Sequence, residues 1–154
     1  VKRNPAIQPL SRQHHTLLLA VLLLKKGIAR KASLAVMVTF LNEVWYDVLQ
    51  PHLQQEEEIL IPLFSQALLE KENQTILDEH KKLEELHQQL NSEIATQEQL
   101  EAFVDLLEKH IRYEERIYFP KVESLADVTI LEKLSERIKE APGTCLQFTP
   151  KFWE

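Results

Sequence analysis

His52-Leu-Gln-Gln-Glu56-Glu57-Glu58-Ile-Leu-Ile-Pro62 is answered later in the chain by His110-Ile-Arg-Tyr-Glu114-Glu115-Arg-Ile-Tyr-Phe-Pro120. Both stretches have the order HxxxEE, and both meet a proline ten residues after the histidine. Residues four apart on an α-helix share a face, with Cβ atoms about 6 Å apart. One imidazole nitrogen and one carboxylate oxygen can then reach a common metal, and two such faces opposed across a bundle can serve two. The plainer alternative is a pair of solvated i,i+4 polar contacts, common in a charged chain. The repeated spacing, doubled glutamate and trailing proline argue against it.

The rest of the chain is also patterned for helices. With two glycines among 154 residues and 44% hydrophobic content, there is little material for β-turns and enough core for a single domain. Residues 1–9 read as an extended lead-in. Helix A is predicted over about 11–26, ending at Lys25-Lys26-Gly27, where cations suit the negative helix end and Gly a left-handed cap. Helix B is predicted over 30–69, with a kink directly before His52, because Pro51 removes a backbone hydrogen bond and crowds the Asp47 carbonyl. Pro62 ends or bends it again. Asn73 would cap helix C over 74–94. Helix D would begin at the capping box Thr96-Gln97-Glu98-Gln99 and be stopped at Phe119 by Pro120. The expected fold class is all-α, an up-down-up-down four-helix bundle over about 10–120. A short fifth helix near 127–140 and a tail complete a single 1–154 domain. Three tail aromatics, Phe148, Phe152 and Trp153, predict docking on an apolar surface.

A net charge of −6 and a pI near 5.6 argue against nucleic acid, which needs clustered cations. The apolar run Leu17 to Leu24 is far shorter than the roughly 20 residues of a membrane span and reads as a buried helix. No secretory leader pattern opens the chain and Cys145 is the single cysteine, so the expected location is cytoplasmic.

The remaining helices offer their own histidines. His80 lies in register with Ile76 and Leu83. At about 100° per residue, His14 turns toward Leu10, Leu17 and Val21, leaving His15 near the wet side marked by Lys25 and Lys26; both stay candidates, with His14 favoured. Taken alone, each would more often be an ordinary core or surface histidine. His87, two turns from His80, lacks the second ExxH motif that ferritin-type bundles require. Glu57 and Glu115 read as outer or exposed carboxylates, Glu58 faces away from His52, and Tyr113 and Tyr118 most often would only pack. Buried imidazoles and carboxylates without partners cost on the order of 1–3 kcal/mol each, and a metal removes that cost. Such donors without a thiolate suit iron or manganese, and also zinc.

Through Leu10-Ser11-Arg12-Gln13-His14-His15, HxxxEE-Pro, Glu79-His80 and HxxxEE-Pro, residues 9–120 resemble the hemerythrin-like, or HHE cation-binding, family. The resemblance implies two non-haem iron ions, carboxylate- and oxo-bridged. Its ligands would be His14 or His15, His52, Glu56, His80, His110 and Glu114, with Glu56 and Glu114 as bridges. It also implies a small partner: oxygen, nitric oxide or peroxide. The oxygen carriers place two histidines four apart on helix C, whereas here Glu84 follows His80 at that spacing, which favours redox turnover or sensing over carriage. The expected function is a di-iron protein that binds, senses or reduces such a ligand. The alternative is a non-enzymatic iron or oxygen sensor acting through a redox or signalling partner, and the third reading is a plain helical adaptor. Because imidazole ligands must be neutral, protons should compete with metal near pH 6.5.

Overall fold

The structure, a computed structural model, describes residues 2–65, 69–140 and 147–154. Cys145 and the first part of the tail lie outside the described residues. Among the described residues five helices follow in order: α1 (Gln8–Ala29), α2 (34–63), α3 (Glu70–Leu90), α4 (97–125) and α5 (Val128–Arg137). Pairs across the interfaces fix the topology. Gly27 meets Met37 while His14 meets His52, Asn42 meets Asn91 while Glu56 meets His80, and Gln89 meets Gln99 while Glu79 meets His110. Lys25 pairs with Glu108 while His14 pairs with Glu114, so α4 closes back on α1. Each neighbour pair is antiparallel, giving the up-down-up-down bundle. No described helix is long and apolar enough to cross a membrane.

Several helix ends depart from the sequence expectation. α1 begins at Gln8, since Pro9 fits a first turn that needs no N–H donor. Gly27 is not a cap; it is buried inside α1, where a Cβ would stand 2.5 Å from Cδ1 of Phe152 and 2.8 Å from Sδ of Met37. The left-handed residue is Lys31, with φ 57°. The hydroxyl of Ser33 then caps α2 by accepting from the Val36 N–H. Asn73 is not the cap of α3 but a buried residue within it, donating to the Phe64 carbonyl and accepting from the Tyr118 hydroxyl at 2.5 Å. The capping box at Thr96 and Gln99 forms as expected.

Pro120 does not stop α4, which runs to Leu125. Pro51, Pro62 and Pro120 share one solution: a π-helical turn precedes each. These turns are Trp45–Leu49, Glu56–Leu60 and Glu114–Tyr118, closed by N–H bonds from Gln50, Ile61 and Phe119 to carbonyls five residues back. One extra residue per turn moves away the carbonyl that a proline ring would strike, and the helix resumes.

Two apolar clusters fill the bundle. One gathers Leu17, Leu24, Phe40, Leu49, Leu83, Phe103 and Leu107, and the other gathers Ile7, Leu10, Leu60, Ile76, Tyr118, Phe119 and Leu134. Between them along the chain come positions 14, 52, 56, 80, 110 and 114, all buried. The tail closes the first cluster, with Phe148 and Phe152 edge-on to Phe40 at 5.2 and 5.1 Å. The fifth helix closes the second through Leu134, and Ile138, directly after it, joins the same cluster.

Candidate metal centre

Each HxxxE pair lies on a regular α-helical turn, and each glutamate is the first residue of a π turn. The histidines and glutamates point inward because the neighbouring positions in register are core: Leu49, Leu53 and Leu60 on α2, and Leu107, Ile111 and Tyr118 on α4. α1 supplies His14 and α3 supplies His80.

The six side chains form two overlapping groups. His14, His52, Glu56 and Glu114 make one, and Glu56, His80, His110 and Glu114 the other; within each, one potential ligand atom per residue lies within 4.8 Å of the rest. Glu56 sends Oε2 to 3.2 Å from Nε2 of His52 and Oε1 to 2.9 Å from Nε2 of His80. Glu114 sends Oε1 to 2.8 Å from Nε2 of His14 and Oε2 to 3.4 Å from Nε2 of His110. Each glutamate therefore faces both groups, with one oxygen toward each.

All four imidazoles aim Nε2 inward and anchor Nδ1 outward. The Nδ1 partners are Glu115 for His14, Gln13 for His52, Glu57 for His80 and Glu79 for His110, at 2.8, 2.6, 2.8 and 2.8 Å. An Nδ1–H held by an acceptor fixes the tautomer that leaves Nε2 free for a metal. Glu57 and Glu115 are thus outer carboxylates, as their adjacency to the bridging positions suggests. Gln13 and Glu79 are partners that the sequence reading misses, though each directly precedes a candidate histidine.

His15 is exposed and outside both groups, since one residue along α1 turns it about 100° away from the core. Glu58 and Glu84 are also exposed. His87 belongs to a separate network, stacked on Trp45 at 4.1 Å and bonded to Asn42. Tyr118 donates to Asn73, not to the centre. Burial beside Glu56 and Glu114 pushes its phenol pKa up and keeps it protonated.

The protein groups alone do not satisfy this layer. Glu56 Oε2, Glu114 Oε2 and His110 Nε2 are buried without a hydrogen-bond partner among the described residues. Orphans of this kind cost about 1–3 kcal/mol each, and all three face the middle of the two groups. Four imidazole nitrogens and four carboxylate oxygens around that middle fit cations. Without a cation the layer can only hold protons. Burial pushes the His52 imidazolium down, but Glu56 and Glu114 push harder the other way and raise its pKa to about 9. His80 and His110 likewise rise against the effect of burial, through Glu56 with Glu57 and through Glu114 with Glu56. Burial raises the Glu56 carboxyl, yet the facing His52 and its neighbours hold it well below the usual carboxylate range. Proton competition with a metal thus extends above the pH 6.5 expected of free imidazole.

The family model described as the hemerythrin HHE cation-binding domain matches residues 5–122, and a second, overlapping match covers 68–142. The first contains all six inward side chains. No curated protein and no solved structure matches the chain.

Proposed function

Because the chain belongs to the hemerythrin HHE cation-binding family, we propose that its centre is a non-haem di-iron site that binds and reduces a small ligand, oxygen, nitric oxide or peroxide. One observation carries the reading: Glu56 and Glu114 each present one oxygen to the His14/His52 group and one to the His80/His110 group. Two ions would be held by His14 with His52 and by His80 with His110, with Glu56 and Glu114 available to both, and imidazole and carboxylate donors suit iron, with manganese and zinc as competitors. When bound, the iron pair supplies electrons and an attachment point for the small ligand. The chain's part is to bury the site and fix each imidazole through Nδ1. Four histidines, with Glu84 exposed where the oxygen carriers have another, favour turnover over carriage. The proposed setting is the cytoplasm, where a lone cysteine stays reduced. Iron analysis of protein purified without added metal should give two per chain, with the near-ultraviolet absorption of a coupled ferric pair. A value near one or zero refutes the proposal.

A second reading, an iron or oxygen sensor acting through a protein partner, draws on Gln13. Its amide accepts from His52 Nδ1 and donates to the Lys139 carbonyl at 2.8 Å, joining the centre to the segment after α5. Hydrogen exchange over 138–140 should slow on iron loading, and unchanged exchange counts against sensing through this segment.

A further inference from the structure

The inward contacts of the two groups match: two imidazole Nε2 atoms and one oxygen from each shared glutamate. Their outer partners do not match. Behind His80 and His110 stand two carboxylates, Glu57 and Glu79. No lysine or arginine pairs with either among the described residues.

Behind His52 stands the neutral amide of Gln13. Its orientation is settled by the Lys139 carbonyl, which only accepts, so the Gln13 NH2 must face Lys139 and its oxygen must face His52. Behind His14 stands Glu115, but that carboxylate is shared. Ser11 donates to the same Oε2 that His14 uses, at 2.8 Å, and Arg3 Nε lies 3.5 Å from Oε1. Arg3 also reaches the Glu115 carbonyl, and its Nη1 holds Glu123 at 2.7 Å. The His14/His52 side therefore has one amide and one carboxylate that Ser11 and, at longer range, Arg3 also draw on, against two carboxylates on the other side that no described lysine or arginine pairs with.

A carboxylate behind an imidazole raises its basicity and strengthens its bond to a metal, and its loss typically costs 10–100-fold in affinity. The geometry points to two unequal metal positions: the one held by His80 and His110 fills first and tightly, and the one held by His14 and His52 fills second and more weakly. This rests on the two-metal reading above and adds an order to it.

Cobalt(II) serves as the probe, because its visible bands report coordination and it takes the same donors. Titrated into metal-free full chain and followed by calorimetry and absorbance, it should bind in two steps totalling two per chain, about tenfold or more apart. E57Q and E79Q should each lower the tighter constant about tenfold and leave the weaker one alone. E115Q should lower only the weaker constant. As Glu115 also anchors Arg3, R3A supplies the opposite sign, raising the weaker constant by freeing the full charge of Glu115; circular dichroism checks that each variant is folded. Two equal steps totalling two, or E115Q weakening the tighter step, overturn the order while leaving the two-metal reading intact. A total below two overturns the two-metal reading and the order with it.

Discussion

Stripping the metal should make the stability of this bundle fall as pH rises from about 6.5 to 9, the reverse of what loss of a ligand at low pH would suggest. In the metal-free protein His52 has its pKa raised to about 9 by Glu56 and Glu114. In the unfolded chain it is about 6.5. The folded state binds that proton more tightly, so the contribution is fully present below pH 6.5 and is lost as pH rises through about 9. A rise of this size corresponds to roughly 3 kcal/mol. His80 and His110 shift in the same direction. Glu56 is held low, so its contribution is constant through this window and fades only in acid. For a chain of this length, 3 kcal/mol corresponds to about 6–12 °C in Tm. The loaded protein behaves oppositely, because a metal needs neutral imidazoles and gains affinity as protons leave. Helix melts by circular dichroism at pH 6, 7.5 and 9, on chelator-treated and cobalt-loaded protein, should show a gap that widens with pH. A metal-free Tm that is flat or rising from pH 6.5 to 9 would mean that no imidazolium–carboxylate layer exists in the metal-free bundle.

Glu56→Ala or Glu114→Ala should lose metal from both positions, because each glutamate faces both groups, whereas Glu58→Ala and His15→Ala should keep two per chain by elemental analysis. Gly27→Ala should destabilise by about 1–3 kcal/mol through collision with Phe152 and Met37; in a Phe152→Ala background the cost should shrink without vanishing, because Met37 Sδ still stands 2.8 Å from the added Cβ. Tyr118→Phe leaves the buried Asn73 oxygen without its donor and should cost about 1–3 kcal/mol in urea unfolding, with metal content unchanged.

The HxxxE pairs are legible because they depend only on local helix geometry: once residues 50–63 and 97–125 are helical, His52 and Glu56 share a face whatever surrounds them. The choice of His14 over His15 is legible for the same reason, from the register of Leu10, Leu17 and Val21. The outer partners are not, because they reach across helices. Gln13 serves His52 39 positions away, and Glu79 serves His110 31 positions away. Glu57 and Glu115 stand out only as neighbours of the bridging glutamates, and nothing local shows that the first holds His80 and the second His14. Helix ends fail where packing overrides a local rule. Gly27 reads as a cap until Phe152, 125 residues later, needs the space its missing Cβ leaves.

Pro120 breaks the expected rule for a reason tied to the centre. A proline forbids the ordinary bond to the fourth preceding carbonyl, so α4 could stop or widen by one residue. Stopping would remove Val122 and Leu125 from the helix. It would also detach the anchor that Glu123 gives to Arg3 and to the Asn4 N–H. Widening keeps all of these, and the π turn begins at Glu114 itself. The same happens at Pro62, whose π turn begins at Glu56. In both helices the ligand pair ends on the last regular turn, and the proline lies six residues past the shared glutamate, beyond the widened turn. The extra residue rotates the remainder of each helix by about 100° relative to an unbroken α-helix. That rotation turns Ile61 and Phe119, five residues beyond each glutamate, onto the glutamates' own face, where both are buried and Phe119 stacks on His14 at 5.2 Å. The repeated HxxxEE-Pro thus encodes two things at once: a metal-binding face, and the register change that lets a hydrophobic layer pack directly beneath it.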